Sequence, residues 1–105
     1  MNPKTSFDMK TYDYNGTEVS LRFDTYRSNG TLAVEMISAE DGESWAVVTV
    51  NLCSPFQDGT MAFVDENNLP GIGAWLKKNR IAKPLGFVQR SGFCKYELYS
   101  FLPHA

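Results

Sequence analysis

The sequence predicts an α+β domain, an antiparallel meander sheet of about six or seven strands with one short helix packed on it. Three observations point there. Alternating apolar and polar residues fill most of the chain, Gly-containing turn pairs punctuate them, and one stretch around Trp75 changes to helical spacing. Hydrophobic residues make up 43% and charged residues 21% of 105 residues, enough apolar surface for one core and too short a chain for two. Residues 1–105 therefore read as a single domain.

Phe7, Met9 and Thr11 alternate with Asp8, Lys10 and Tyr12, and Asn15-Gly16 supplies residues that tolerate positive φ in a tight turn. Val19, Leu21, Phe23 and Thr25 then alternate with Glu18, Ser20, Arg22 and Asp24, the pattern of a half-buried strand. The two runs are expected to pair antiparallel. Asn29-Gly30 separates this strand from "TLAVEMIS", and Asp41-Gly42 separates that from "SWAVVTVNL". Because both phases of "WAVVTVNL" are largely apolar, it reads as a central strand covered on both faces.

"CSPFQDGT" reads as a loop and "MAFV" as a short strand leading into "FVDENNLPGIGAW", residues 63–75. There Asn68 is an N-cap candidate, Pro70 suits an early helical position, and Gly71 and Gly73 suggest close approach of the helix to another backbone. Ile72, Trp75 and Leu76 carry the apolar face of the helix, and Lys77, Lys78 and Arg80 fall at its end, where cations complement the dipole. "AKPLG" reads as a turn, followed by a closing hairpin with Ser91-Gly92 at its tip. In that hairpin Phe93, Lys95, Glu97, Tyr99 and Phe101 alternate with Cys94, Tyr96, Leu98 and Ser100.

Chemistry-bearing patterns are sparse. A calcium loop would need an oxygen ligand where Leu69 stands and a glycine where Pro70 stands, so no metal is expected. Gly71-Ile72-Gly73 lacks the wider glycine pattern of a phosphate cradle, and Asp65 and Glu66 upstream would repel a phosphate. The lone histidine, His104, is next to the last residue of the sequence, a place expected to fray, which argues against a histidine-based catalytic centre. Cys53 and Cys94 form no metal or redox spacing and read as buried free thiols. The expectation is a protein with no cofactor and no enzymatic activity. No apolar run is long enough to span a bilayer, and "MNPKTSFDMK" lacks the apolar core of a signal peptide, so no membrane partner and a cytoplasmic location are expected.

Charge is the most informative feature. Residues 1–66 carry a net −7 and residues 67–105 a net +5, which together make the overall −2. The basic candidates for binding are Lys77, Lys78, Arg80, Lys83, Arg90 and Lys95, interleaved with Trp75, Phe87, Phe93, Tyr96 and Tyr99, a mix suited to nucleic acid or an acidic protein surface. The acidic candidates are Asp24, Glu35, Glu40, Asp41 and Glu43. An isoelectric point near 5.3 is far from the basic balance typical of nucleic-acid binders.

At "TLAVEM", "FVDENNLPGIGAWLKKNRIAKPLG" and "RSGFCKYELYSF" the chain resembles a family of small proteins of unknown function carried on phages and conjugative elements of gut bacteria. The likeness runs from about Tyr12 to Phe101 and rests on turn and packing residues, among them Asn68-Leu69-Pro70-Gly71, Lys83-Pro84 and Ser91-Gly92-Phe93. No catalytic motif comes with it. The resemblance implies a mobile-element protein in the company of anti-CRISPR proteins, host-defence inhibitors that bind a type II effector nuclease and block DNA binding or cleavage. Such an inhibitor need only bind, with an acidic face in the effector's nucleic-acid channel or a basic face on the effector's acidic surfaces or guide RNA. The alternative is a nucleic-acid- or protein-binding accessory module for replication or transfer of the element.

Overall fold

The structure is a computed structural model that describes residues 6–7, 10–27, 30–52 and 59–101. Among the described residues, all strand pairs are antiparallel and a single short helix is present, so the mixed α+β class holds. The single meander does not. Strands β1 (Ser6–Phe7), β2 (Tyr12–Tyr14), β3 (Thr17–Thr25), β4 (Leu32–Ser38) and β5 (Ser44–Val47) form a five-stranded sheet in which β1 and β2 both pair with β3. Strands β6 (Thr49–Val50), β7 (Met61–Val64), β8 (Lys83–Ser91) and β9 (Cys94–Ser100) form a four-stranded sheet in the order β6-β7-β9-β8.

The switch between sheets falls at Val48, inside the run that reads as one central strand. Val48 donates its N–H to Val34 O at 2.9 Å, closing its contact with β4, while its carbonyl accepts the Asp65 N–H at 2.9 Å at the end of β7. The expected central strand is thus two edge strands, β5 in the first sheet and β6 in the second. Its apolar residues on both phases reflect the change of sheet. Val48 is fully buried between the layers, whereas Trp45 and Val47 on β5 are 52% and 49% exposed. Thr49 completes the corner, since its Oγ1 accepts the Val34 N–H at 3.1 Å that a continuing ladder would have given to a carbonyl.

Local rules explain the first hairpin. Asn15 and Gly16 have φ of 52° and 88°, the paired positive values of a type I′ turn, and the ladder starts at once with Tyr14 opposite Thr17. Tyr12 and Tyr14 are buried and Asp13 is exposed, so Tyr12 belongs to the core phase and not to the polar phase with Lys10. The side chains of Asp8 and Met9 lie outside the described residues. So does Asn29 of the second turn pair, although Gly30 donates to Tyr26 O at 2.8 Å and Tyr26 donates to Thr31 O at 2.8 Å across that turn. At Asp41-Gly42 the turn closes as expected, with Gly42 donating to Ser38 O at 2.8 Å.

β7 and β8 both run antiparallel to β9 and therefore run in the same direction, joined through helix α1 (Ile72–Lys78) with β9 between them. This is a split β-α-β unit, a connection the turn signals could not reveal. "AKPLG" is not a turn but the start of β8. The pairing moves from Pro84 opposite Tyr99 to Val88 opposite Glu97, so β8 bulges there, and Pro84 is tolerated because β8 is an edge strand.

The main core lies between the five-stranded sheet and the α1 side of the second sheet. Val19, Leu21, Val34 and Met36 meet Val64, Ile72, Leu76 and Phe101 there, and each is fully buried. Burying Ile72 and Leu76 contributes about 1.5–3 kcal/mol apiece, enough to hold a helix too short to persist alone. Trp75 fixes its position on the first sheet. Its Nε1 donates to Asp13 O at 2.7 Å, and its ring stands edge-on to Tyr14 at 5.2 Å and Tyr12 at 5.9 Å. The opposite face of the second sheet carries a smaller cluster of Leu52, Phe63 and Leu98.

Candidate functional site

The basic residues of the C-terminal third do not form one face; all but Lys78 gather in two places. The first follows from how α1 ends. Asn79 is its C-cap, and Arg80 takes the left-handed conformation with φ 57°. Arg80 donates its N–H to Lys77 O at 3.1 Å and Ile81 donates to Leu76 O at 2.9 Å, the paired bonds of a Schellman motif. Glycine is the usual residue at that left-handed position, because a side chain there costs about 1 kcal/mol. Buried Ile81 and Ala82 then anchor the reversed chain, so that Lys83 opens β8 beside the helix end. The result is a concavity of about 310 Å³ lined by Lys77, Arg80, Ala82, Lys83 and Pro84, with three cations and no acid among the described residues. Lys78 is exposed on α1 but does not line it.

The second place is the end of the β8–β9 hairpin, where Arg90 stands directly opposite Lys95 and both are exposed. β8 separates it from the concavity by seven residues, about 20 Å along a strand. The turn itself is Gly92-Phe93, one residue later than the expected Ser91-Gly92, since Ser91 still pairs with Cys94. Phe93 therefore leaves the strand alternation and is wholly exposed.

The acidic candidates are divided as well. Asp24 and Glu35 share the outer face of the first sheet, where Arg22 bridges them at 3.2 Å and 3.5 Å. Glu35 also accepts a 2.5 Å hydrogen bond from Ser44 Oγ, and Asp24 accepts the Thr25 N–H at 2.8 Å. These carboxylates are thus engaged within the sheet and make a poor imitation of a phosphate chain. Glu40, Asp41 and Glu43 sit exposed in the β4–β5 turn, with the Asp41 carboxylate accepting the Glu43 N–H at 3.0 Å.

The loop before α1, the most motif-like stretch of the sequence, is closed by its own side chains. Asn68 does not cap the helix; its N–H and Nδ2 both donate to the Asp65 carboxylate, at 3.3 Å and 2.7 Å. Pro70 lies before the helix, and the N-cap is Gly71 at φ 86°. The capping group is Glu66, whose carboxylate accepts the Gly71 N–H at 2.9 Å and the Gly73 N–H at 2.6 Å. A carboxylate of the chain itself thus holds the amides that a phosphate would need. Gly73 is required by a close approach, though to side chains and not to a backbone: an added Cβ would run into Tyr99 Oη and lie 2.8 Å from Glu66 Oε2.

Burial raises the Tyr99 hydroxyl above its ordinary value, and the nearby Glu97 and Glu66 carboxylates add to the rise. Burial likewise raises Tyr26, partly offset by its hydrogen bond to Thr49 Oγ1 and reinforced by Asp65. Cys94 is a free thiol, half-buried where full burial was expected, and Cys53 and His104 lie outside the described residues. Among the described residues no cluster of three or more His, Cys, Asp or Glu side chains is placed to hold a metal, and no helix is long and apolar enough to cross a membrane.

Two features escaped sequence reasoning. The strain at Arg80 was legible in part, because "KKNRIAK" ends a helix without the glycine that usually terminates one. The exposure of Phe93 depends on a one-residue placement of the turn, which the hydrophobic pattern does not decide.

Fold and site together define a small two-sheet domain, with a split β-α-β unit in its second sheet, one group of cations where α1 meets β8 and another at the end of the β8–β9 hairpin. The chain belongs to the family described as "domain of unknown function (DUF4313)", whose model matches residues 20–104. Searches of curated proteins and of solved structures found no match to it.

Proposed function

We propose that this chain is a non-enzymatic binding protein of a mobile element, an anti-defence inhibitor of the anti-CRISPR type that occupies a type II effector nuclease and blocks DNA binding or cleavage. The setting comes from the family resemblance carried by "FVDENNLPGIGAWLKKNRIAKPLG" and "RSGFCKYELYSF". The observation that carries the binding mode is the concavity of Lys77, Arg80 and Lys83. Arg80 occupies the left-handed position after the helix, where glycine is the usual residue, and this sets its cation beside Lys77 and Lys83 in the lining of the concavity. Three convergent cations suit the phosphates of a guide RNA or its DNA target held on an effector.

The same concavity favours the second reading, an accessory module that contacts nucleic acid during replication or transfer of the element. Both readings place the cations against phosphate and differ in whether an effector is present.

Co-purification with a type II effector, followed by a DNA-cleavage assay, tests the proposal. The wild type is expected to associate and suppress cleavage, and Lys77→Ala/Lys83→Ala to do so less. Arg80→Gly removes the third cation at a position whose left-handed backbone glycine accepts, and should weaken association as well. Absence of association and of inhibition across the type II effectors sampled would sink the inhibitor reading. Salt-dependent binding to free nucleic acid in that case favours the accessory module.

A further inference from the structure

The end of the β8–β9 hairpin is built against its own stability. Gly92 has φ 61° and Phe93 follows in the second turn position, the two-residue loop of a type II′ hairpin. That places Phe93 beyond the last cross-strand pair, and it is the most exposed of the large apolar side chains among the described residues, at 110% of its reference area. One pair below the turn, the register sets Arg90 directly across from Lys95. Like charges directly opposite on a sheet, about 5 Å apart at Cβ, repel and weaken the pairing. Neither is in an ion pair among the described residues, and the single acid of the hairpin, Glu97, is across from Val88.

The demands of folding explain neither the ring nor the cation pair. An exposed aromatic ring at the turn, with a cross-strand pair of cations behind it in the hairpin, complements an unpaired nucleotide, whose base offers a face for stacking while the adjoining phosphates take up the charge. A duplex hides its base faces within the stack, and an acidic protein surface would meet the cations without needing the ring.

The geometry points to a single-stranded nucleic-acid contact at the hairpin tip, with Phe93 stacked on an unpaired base and Arg90 and Lys95 against the adjoining phosphates. This rests on the reading of a nucleic-acid-bearing target and narrows it to the unpaired parts of that target. It predicts a preference for single strands over duplex, carried by a residue outside the Lys77, Arg80 and Lys83 concavity.

Fluorescence anisotropy of the full chain, with labelled oligo-dT and oligo-U of about 12 nucleotides and a duplex of equal length, tests this directly. Single strands are expected to bind more tightly than duplex. Phe93→Ala should weaken single-strand binding about tenfold or more, at unchanged Tm, and Phe93→Trp should restore it and show emission quenching absent from the wild type. Arg90→Ala/Lys95→Ala should reduce the slope of log affinity against log salt by about 1.4. The inference is overturned by no oligonucleotide binding at about 50 mM salt, by a preference for duplex, or by single-strand binding unaffected by Phe93→Ala. Loss confined to Lys77→Ala/Lys83→Ala overturns the hairpin contact while leaving the concavity in place. Binding of poly-glutamate but not oligonucleotide, dependent on Arg90 and Lys95, assigns the tip to an acidic protein and also overturns it. Failure of the inhibitor reading shows separately, in effector co-purification, which requires no naked oligonucleotide.

Discussion

Replacing Thr49 with valine should destabilise the protein far more than the loss of one hydroxyl on an edge strand would suggest. Thr49 is 3% exposed and starts β6, where the chain has just left the first sheet. Its Oγ1 accepts the N–H of fully buried Val34 at 3.1 Å and lies 2.9 Å from Tyr26 Oη. Valine keeps the shape and the strand preference but leaves the Val34 N–H without a partner, which costs about 1–3 kcal/mol. Tyr26 is only half-buried, so its hydroxyl can turn to water, and losing that bond adds about 0.5 kcal/mol. A net loss of about 2 kcal/mol lowers Tm by about 10 °C for a domain this size. Urea denaturation of the wild type, Thr49→Val and Tyr26→Phe would measure it, with Tyr26→Phe expected to lose less than about 1 kcal/mol because Thr49 still serves Val34. Equal losses in the two variants would refute the assignment of Thr49 as the acceptor that completes the sheet switch.

Gly73→Ala improves helix propensity by up to about 1 kcal/mol, yet it should destabilise by about 1–3 kcal/mol through its clash with Tyr99 Oη and Glu66 Oε2. Combining it with Tyr99→Phe should recover part of that loss in a thermal melt, and a stabilising Gly73→Ala would show that the helix sits farther from β9. Alkaline pH supplies another check. Tyr26 and Tyr99 are raised from 10.0 in the folded state, so folding favours their neutral forms. That stability is present below about pH 10, the unfolded value, and is lost as pH rises towards and through the folded values. Tm should therefore fall above about pH 10, less steeply in Tyr26→Phe. A flat Tm in that range in both proteins would contradict the raised values.

Turn chemistry was the most legible part of the fold. Asn15-Gly16 reads as a two-residue hairpin because few residue pairs accept two positive φ values, and the structure has them at 52° and 88°. Asp41-Gly42 and the strand "MAFV" follow from equally local preferences. The helix was legible from Ile72, Trp75 and Leu76, but its cap was not. Asn68 and Glu66 are both able to cap, and the path of the loop decides that Asn68 turns to Asp65 while Glu66 reaches the amides. Apolar residues on both phases of "WAVVTVNL" have two solutions, a strand covered on both faces or a strand that changes sheets, and periodicity cannot separate them.

The candidate site divides along the same line. Sequence alone determined which residues carry positive charge and that six of the ten lysines and arginines fall in residues 67–105 against one acid, because charge is a property of the residue. Gathering Lys77, Arg80 and Lys83 around one concavity, and setting Arg90 across from Lys95, required the Schellman turn after α1 and the register of β8 on β9. Those arrangements depend on the burial of Ile81 and Ala82 in the core and on where the hairpin turn falls, neither of which charge or alternation decides. By itself the sequence determined an α+β chain with tight turns, one short helix and a basic end. Only the tertiary structure decided that the chain forms two sheets joined at Val48, and that its cations meet in two places. The hydrophobic pattern records whether a residue is buried, and the fold alone determines which surface buries it.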